Sequence, residues 1–368
     1  MAPLAVSGVL WALCLALSCT IGQGTSSVPS SMRPTLRSGA IVGGAVIFGV
    51  LGKQLYDGPE FKETVDLTGK VVAITGSNTG LGFESALKIA SLGTPTVLLL
   101  CRNQAKAQAA VDRIKEKTGN PNVSSVLLDL EDLASVRRAA KEINAKFQRL
   151  DVLQLNSGVM AVPTRETTKD GFEKQMGINH LGHFALTREL WPLVKKTPGS
   201  RVITVSSSAH LLGALKKDDL MLQKEGSYGA WTSYGNSKLA NILFARELHL
   251  RLQQSGNPGA IISTTLHPGA VRTELGRYIF DPAAIPKFLL PVLGVVGSPL
   301  IYFTKSPYMG AQTQTMLSAS ALLTPATAGG IFFDNSKAAD TSAAAKDEEM
   351  GHWLWGESER LTGGKFDL

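Results

Sequence analysis

Acidic side chains are missing from the first 56 positions of this 368-residue chain; Asp57 is the first. Cysteine is scarce as well, with only Cys14, Cys19 and Cys101. The first two lie in that acid-free leader, so the domain beyond it holds one. A single thiol excludes an internal disulfide framework and a cysteine cluster for zinc. The chain also lacks a basic block interleaved with aromatics. Its net charge of +7 is mild, which excludes nucleic acid as a partner. What remains is an apolar fraction of 44%, the composition of a globular protein long enough for one large α/β domain with extensions.

The leader, residues 1–56, contains two apolar runs, 4–21 and 39–52. The first resembles a secretory signal core, although it lacks a basic start, and its length is close to the ~20 residues of a bilayer span. Between the runs lie Ser30, Ser31, Arg33, Thr35, Arg37 and Ser38, a composition of the transit-peptide kind. The second run is shorter and glycine-rich. One reading is an uncleaved membrane anchor with a linker. The other is a two-part address to an organelle, endoplasmic reticulum or plastid. Either way the leader is expected to stand outside the catalytic fold, which is assigned residues 57–368.

From Lys70 onward, short β-rich runs alternate with helical patterns, the signature of a doubly wound parallel sheet in a single Rossmann-type α/β domain. The first run ends in Gly76-Ser77-Asn78-Thr79-Gly80-Leu81-Gly82 before a helical pattern. Strand, glycine-rich turn and helix suit a dinucleotide. Gly76 and Gly80 permit a tight turn and close approach to a pyrophosphate, and Gly82 permits close helix–strand packing. The second run ends at Arg102, where a guanidinium can pair bidentately with the 2′-phosphate of NADP; an ordinary solvated charge is the alternative. Asp129, after the third run, is placed to line an adenine pocket or to cap the helix beginning near Leu133.

The fourth run leads into Asn156-Ser157-Gly158, and a long helix is predicted through Phe172, Met176, Ile178, Leu181, Phe184, Leu186 and Leu190. Asn179 falls inside it; a mid-helix amide is either exposed or bonded to something specific. The fifth run ends in Ser206-Ser207-Ser208, at the carboxyl end of a parallel strand, where open α/β sheets bind ligands. A helix predicted over 231–252 carries Tyr234 and Lys238 four apart, hence on one face. A phenol with a pKa of about 10 is a poor acid–base at neutral pH, and a nearby ammonium favours its ionised form. The sixth run precedes His267-Pro268-Gly269. Four histidines, His180, His183, His210 and His267, have neighbours and spacing that suit packing, and no metal is expected.

Taken together, Thr75-Gly-x-x-x-Gly-x-Gly82, Asn156-x-Gly158, Asn179-His180-Leu181-Gly182-His183-Phe184, Ser206-Ser207, Tyr234-x-x-x-Lys238 and His267-Pro268-Gly269 resemble the short-chain dehydrogenase/reductases in order and spacing. Asn78-Thr79-Gly80, Cys101-Arg102-Asn103 and Ser237-Lys238-Leu239-Ala240-Asn241 are similar to the retinol-dehydrogenase-like branch. The resemblance spans about residues 67–363. It implies that Tyr234 is the acid–base, that Lys238 lowers its pKa and holds the nicotinamide ribose, and that Ser207 hydrogen-bonds the substrate oxygen. Asn179 would order a water in a proton relay. It also implies cofactor contacts at Asn78, Leu81, Asn156, Gly158, Pro268, Gly269 and Thr273. Ser157 departs from the family's usual alanine.

Residues 274–310 are apolar, with Phe288, Leu289, Leu290, Leu300, Ile301 and Phe303. This segment is read as a lid over a lipophilic ligand and, at the same time, as a membrane-dipping or homo-oligomer surface. Pro286, Pro291 and Pro299 break any helix long enough to span a bilayer. The resulting expectation is an NADP-dependent oxidoreductase, associated with membranes, that acts on the carbonyl or alcohol of a retinoid- or isoprenoid-like molecule. Two rivals are a pigment reductase of the protochlorophyllide type and a non-catalytic NADP-sensing subunit of a membrane assembly. The first is disfavoured by the absence of a cysteine after Pro268-Gly269, the second by the intact Asn179, Ser207, Tyr234 and Lys238 set.

Overall fold

Eight strands form one sheet in the order β3-β2-β1-β4-β5-β6-β7-β8. They are β1 Val71–Thr75, β2 Thr96–Cys101, β3 Val123–Leu127, β4 Val152–Leu155, β5 Ser200–Val205, β6 Ile261–His267, β7 Phe332–Asp334 and β8 Lys337–Ala339. The computed structural model describes residues 52–255, 261–272 and 304–368. All of these but Gly52 belong to the compact unit Lys53–Leu368. β1 to β7 run parallel, and β8 closes the edge as an antiparallel hairpin with β7. The predicted parallel sheet is therefore present, with a two-strand edge that short runs such as Phe332-Phe333 did not announce.

Strand order reverses between β1 and β4, which opens a crevice at their carboxyl ends. Alternate residues of each strand feed opposite cores. Val71 and Ala73 pack on one side, Val72 and Ile74 on the other. The first side is covered by α3 (Leu133–Lys146), α4 (Gly182–Lys195), α5 (Ala230–Gln254) and α7 (Glu348–Thr362). The second is covered by α1 (Gly80–Ala90), α2 (Gln104–Thr118) and α6 (Gln312–Ala319). Burial on both faces explains why the strands read as nearly continuous apolar runs. At the opposite end of the sheet Asp151 ties β1 to β4. Its carboxylate takes two bonds from Arg149, at 2.7 and 2.6 Å, and one from the Val71 N–H.

The helix predicted to run unbroken from Phe172 to Leu190 is interrupted. One α-turn, Lys174–Met176, passes into a π-turn, Gly177–Leu181, before α4 begins. Glycines bound the irregular turn on both sides. A Cβ on Gly177 would lie 2.5 Å from a Thr168 methyl, and one on Gly182 would lie 2.9 Å from the Leu130 carbonyl. Such single π-turns concentrate at functional sites, and this one carries Asn179.

Beyond β6 the chain leaves the described residues after Arg272 and returns at Thr304. The two ends are stapled together: Lys305 donates its N–H to the Ala270 carbonyl at 2.7 Å, and Arg272 donates to the Lys305 carbonyl at 3.1 Å. The apolar part of the predicted lid, 274–303, and Thr273 lie outside the described residues. So do the leader runs, except for Gly52. Among the described residues no helix is long and apolar enough to cross a membrane.

Candidate active site

Thr75, fully buried at the end of β1, is the hub of the crevice. Its hydroxyl accepts from the backbone N–H groups of Asn156 and Ser157, each at 2.9 Å, and meets His183 Nε2 at 2.9 Å. The loop after β4 is thereby pinned against the glycine-rich turn. Gly76 and Gly80 both adopt left-handed backbone, φ +63° and +59°. A Cβ on Gly76 would sit 2.5 Å from Ser157 Oγ, and one on Gly82 would sit 2.6 Å from Asn156 Nδ2 and the Gly76 carbonyl. Ser157, where the family usually has alanine, thus packs its hydroxyl directly over the turn.

Several features of this cradle fit a dinucleotide. The first turn of α1 has no acid, and Thr79 gives its N–H groups no side-chain cap. Those amides are open to an anion. Asn156 Oδ1 is buried without a hydrogen-bond partner among the described residues. Leu81 donates no side-chain polarity but anchors the turn through its carbonyl, which accepts from Gln314 Nε2 at 3.1 Å. Asn78 is half-buried on the same turn. Arg102 stands at the end of β2 with a side chain 60% exposed, 3.3 Å from Glu131. Asp129 accepts from the Glu131 N–H and does not cap α3; that task falls to Asp132, which accepts from Ala134 and Ser135.

The other half of the site hangs on α5. Lys238 is buried at 3% exposure, and its ammonium donates to the Val205 carbonyl at 3.0 Å. Val205 ends β5, and its carbonyl also accepts from Asn241 at 3.1 Å. An ammonium has three donors, so two remain for other partners. Gly158 leaves room for this arrangement: a Cβ there would lie 3.1 Å from Asn179 Oδ1 and 3.7 Å from Lys238 Nζ. Asn179 uses both amide hydrogens, to the Val159 carbonyl and to Ser237 Oγ, each at 2.9 Å, while its Oδ1 accepts the Val159 N–H at 2.8 Å. One lone pair of Oδ1 is its remaining valence for a water.

Two serines at the end of β5 have different duties. Ser206 is buried and donates to the Lys238 carbonyl at 2.6 Å, a structural bond. Ser207 is half-buried, accepts from the Ala209 N–H at 3.2 Å and interacts with the Tyr234 phenol. Tyr234 is buried at 4% exposure, with Lys238 Nζ 5.6 Å from its ring centroid. Burial pushes the phenol up to about 12, with the Ser207 hydroxyl opposing the rise. Burial also pulls the Lys238 ammonium down to about 8. The ammonium alone therefore does not depress the phenol as expected, because loss of solvent outweighs it at this separation. His267, at the end of β6, accepts from the Ser208 N–H at 3.2 Å and so steadies the serine loop. The backbone link was not readable from sequence, and neither was the role of Thr75.

No group of three or more histidine, cysteine or acidic side chains among the described residues could hold a metal ion. The histidines pack instead: His180 meets Ser358 Oγ, and His183 meets the Asn179 carbonyl. Burial pushes both down, His180 to about 3 and His183 to about 4.

The family model described as short chain dehydrogenase matches residues 70–218. Human retinol dehydrogenase 13 is 39% identical over 332 residues, covering 90% of this chain and 95% of its own. Human retinol dehydrogenase 14 is 39% identical over 310 residues, covering 80% and 87%. Among solved structures, an uncharacterized protein from Mycobacterium paratuberculosis superposes with a TM-score of 0.66 at 33% identity, covering 84% of this chain and all of that one. A short chain dehydrogenase from Escherichia coli, crystallised with NADPH, shares the fold at 24% identity, with a TM-score of 0.56 over 75% of this chain and all of its own.

The buried imidazoles make acid stability a test of this packing. In the unfolded chain they protonate near pH 6.5; in the fold they resist until about 4 or 3. Between those values the unfolded state binds more protons, so stability is retained above about pH 6.5 and falls as pH drops through this window. Thermal scans from pH 7.5 to 4 should show a progressive decline in Tm. His180→Phe should make the decline shallower, and an unchanged slope would remove His180 from its cause.

Proposed function

Because the chain belongs to the short-chain dehydrogenases, in their retinol-dehydrogenase-like branch, we propose that it is an NADP-dependent oxidoreductase acting on the carbonyl or alcohol of a retinoid-like lipophilic molecule. The observation that carries this reading is the convergence of Tyr234, Ser207 and Lys238 in a buried site at the carboxyl end of β5. The nicotinamide, when bound, supplies or accepts a hydride. The chain's own residues do the rest. The Ser207 hydroxyl and the Tyr234 phenol converge on the substrate oxygen and stabilise the charge that develops there. Tyr234 Oη gives the proton in reduction and takes it in oxidation. Lys238 would offer its two remaining N–H donors to the nicotinamide ribose, and its charge stays beside the phenol. Asn179 holds the Gly158 loop and Ser237 in register, and keeps one Oδ1 lone pair for a relay water.

Gly76, Asn78, Gly80, Leu81 and Gly82 receive the pyrophosphate end in this reading, with Asn156 and Gly158 beside them. Asp129 borders the adenine, and Pro268, Gly269 and Thr273 border the other side. Arg102 takes the 2′-phosphate; its exposure leaves the guanidinium available beside Glu131, its one ion-pair partner among the described residues. The crystallised NADPH complex of the Escherichia coli neighbour supports a nicotinamide cofactor in this fold, and the names of the retinol dehydrogenase relatives support the substrate class.

Tyr234→Phe removes the proton-carrying oxygen and leaves the ring. Turnover should fall by roughly 10²- to 10⁴-fold, with NADPH affinity within about threefold because the lost hydroxyl is directed at substrate. Retained turnover in the purified variant would take Tyr234 out of the acid–base role.

Arg102→Asp replaces a phosphate-pairing fork with a repulsive carboxylate. The NADPH/NADH affinity ratio should drop by at least about tenfold. An unchanged ratio in parallel titrations would mean that the 2′-phosphate is recognised elsewhere.

The leader's two apolar runs support membrane association. Full-length protein should pellet with membranes and resist an alkaline wash, as an inserted segment of nearly 20 apolar residues does. Sequencing the mature N-terminus completes the test. A freely soluble chain starting beyond Gly52 would mean that the leader is only an address.

A further inference from the structure

A buried cation that the chemistry above does not use lies directly beneath the Pro268-Gly269-Ala270 turn. Lys305 is 2% exposed and forms an isolated β-bridge with Val271 where the described chain resumes. Its stem fills the space under Gly269: that residue has φ +86°, and a Cβ on it would lie 2.7 Å from Lys305 Cε. Its backbone N–H holds the Ala270 carbonyl at 2.7 Å. Its ammonium donates to Asn335 Oδ1 in the β7–β8 hairpin turn and sits 5.8 Å from the ring centroid of Tyr56.

Tyr56 completes the clasp from the other side. Its hydroxyl accepts the Ala270 N–H at 2.9 Å, so both polar groups of the Ala270 backbone are taken, one by each residue. The segment that presents Tyr56 is itself tied down. Lys53 pairs with Asp57, a Cβ on Gly58 would lie 2.8 Å from Asn335 Oδ1, and the Phe61 N–H donates to Gln312 Oε1 at 2.9 Å. The charges facing the Lys305 ammonium are Asp334 and Asp57, with Lys53 opposing them. These carboxylates compensate the cation in part, while burial still lowers its affinity for a proton.

We propose that Lys305 and Tyr56 are positioning residues for the cofactor: together they hold the Pro268-Gly269-Ala270 turn, with Gly269 in its left-handed conformation, where it borders the bound dinucleotide. Residues 53–56, assigned to the leader from sequence but part of the compact unit Lys53–Leu368, therefore act with 57 and 58 as part of the site's support. The inference rests on the reading of Pro268 and Gly269 as cofactor-binding residues.

The test uses the full-length protein in detergent, with NADPH affinity measured by fluorescence, turnover measured at saturating NADPH with a lipophilic aldehyde, and Tm recorded for every variant. Lys305→Met should raise the Kd for NADPH about tenfold, the loss expected for one buried charged anchor. Lys305→Arg, which keeps the charge but not the stem, should lie between that variant and the parent. Tyr56→Phe, a milder change that keeps the ring, should raise Kd about threefold. Turnover at saturation should stay within about threefold in each. The two losses should be less than multiplicative when combined, because both residues hold one turn. Unchanged NADPH affinity in Tyr56→Phe and in folded Lys305→Met would overturn the proposal; if Lys305→Met does not fold, Tyr56→Phe decides alone. Gly269→Val separates the two readings. A weakened affinity there, with the clasp variants unaffected, would leave the turn as a cofactor contact and dismiss the clasp. An unaffected affinity in all of them would dismiss both.

Discussion

The ammonium of Lys238 is buried and tied to one carbonyl, that of Val205, at the point where β5 ends. Removing a charge from water is costly unless the charge is paired or well hydrogen-bonded. Here the compensation is partial, which is why its affinity for a proton falls to about 8. The surrounding structure is arranged around that charge. Ser206 donates to the Lys238 carbonyl, Asn241 shares the Val205 acceptor, and Gly158 brings its loop close without a side chain. Through Ser237 and Asn179 the same helix is linked to the π-turn before α4 and to Val159. A change at Lys238 would thus be felt in β5, the loop after β4 and α5 at once.

The same burial acts on Tyr234 in the opposite sense. Its phenol is held up to about 12, a poor proton donor near neutrality that the Ser207 hydroxyl only partly relieves. Proximity of a cation on the next helical turn is therefore insufficient by itself. The site pays for dryness at the phenol, and dryness is what makes any further positive charge brought close to it effective, since charges interact far more strongly there than in water. The histidines around it add no competing charge: His180 and His183 are kept neutral by burial.

Much of this was legible from residue order. The strand ends at Thr75, Cys101, Leu155 and Val205 coincide with those expected, because runs buried on both faces are continuously apolar and are punctuated by glycine, asparagine or serine. Tyr234 and Lys238 neighbour Ser207 at the end of β5, and Gly158 faces Lys238. Three features were hidden for physical reasons. The π-turn at Asn179 has helical composition on both sides, so periodicity sees one helix. Thr75 acts through backbone N–H groups 81 and 82 positions away, a pairing set by sheet register and not by local pattern. Lys305 sits at the end of an apolar segment whose hydrophobicity masks it, and the Gly269 space it fills exists only once Val271 and Lys305 are bridged side by side.

If this site moves a hydride between NADPH and a retinoid-like carbonyl, the hydride itself can be followed with an isotope. Purified full-length protein is mixed with NADPH stereospecifically deuterated at each face of C4 in turn and with a retinoid aldehyde, and the alcohol formed is analysed by mass. Alcohol should form in step with NADPH consumption, and deuterium from one face, and only one, should appear at its carbinol carbon. Tight NADPH binding with no alcohol across retinoid and other lipophilic aldehydes, or alcohol without deuterium from either face, would rule out hydride transfer to such a carbonyl.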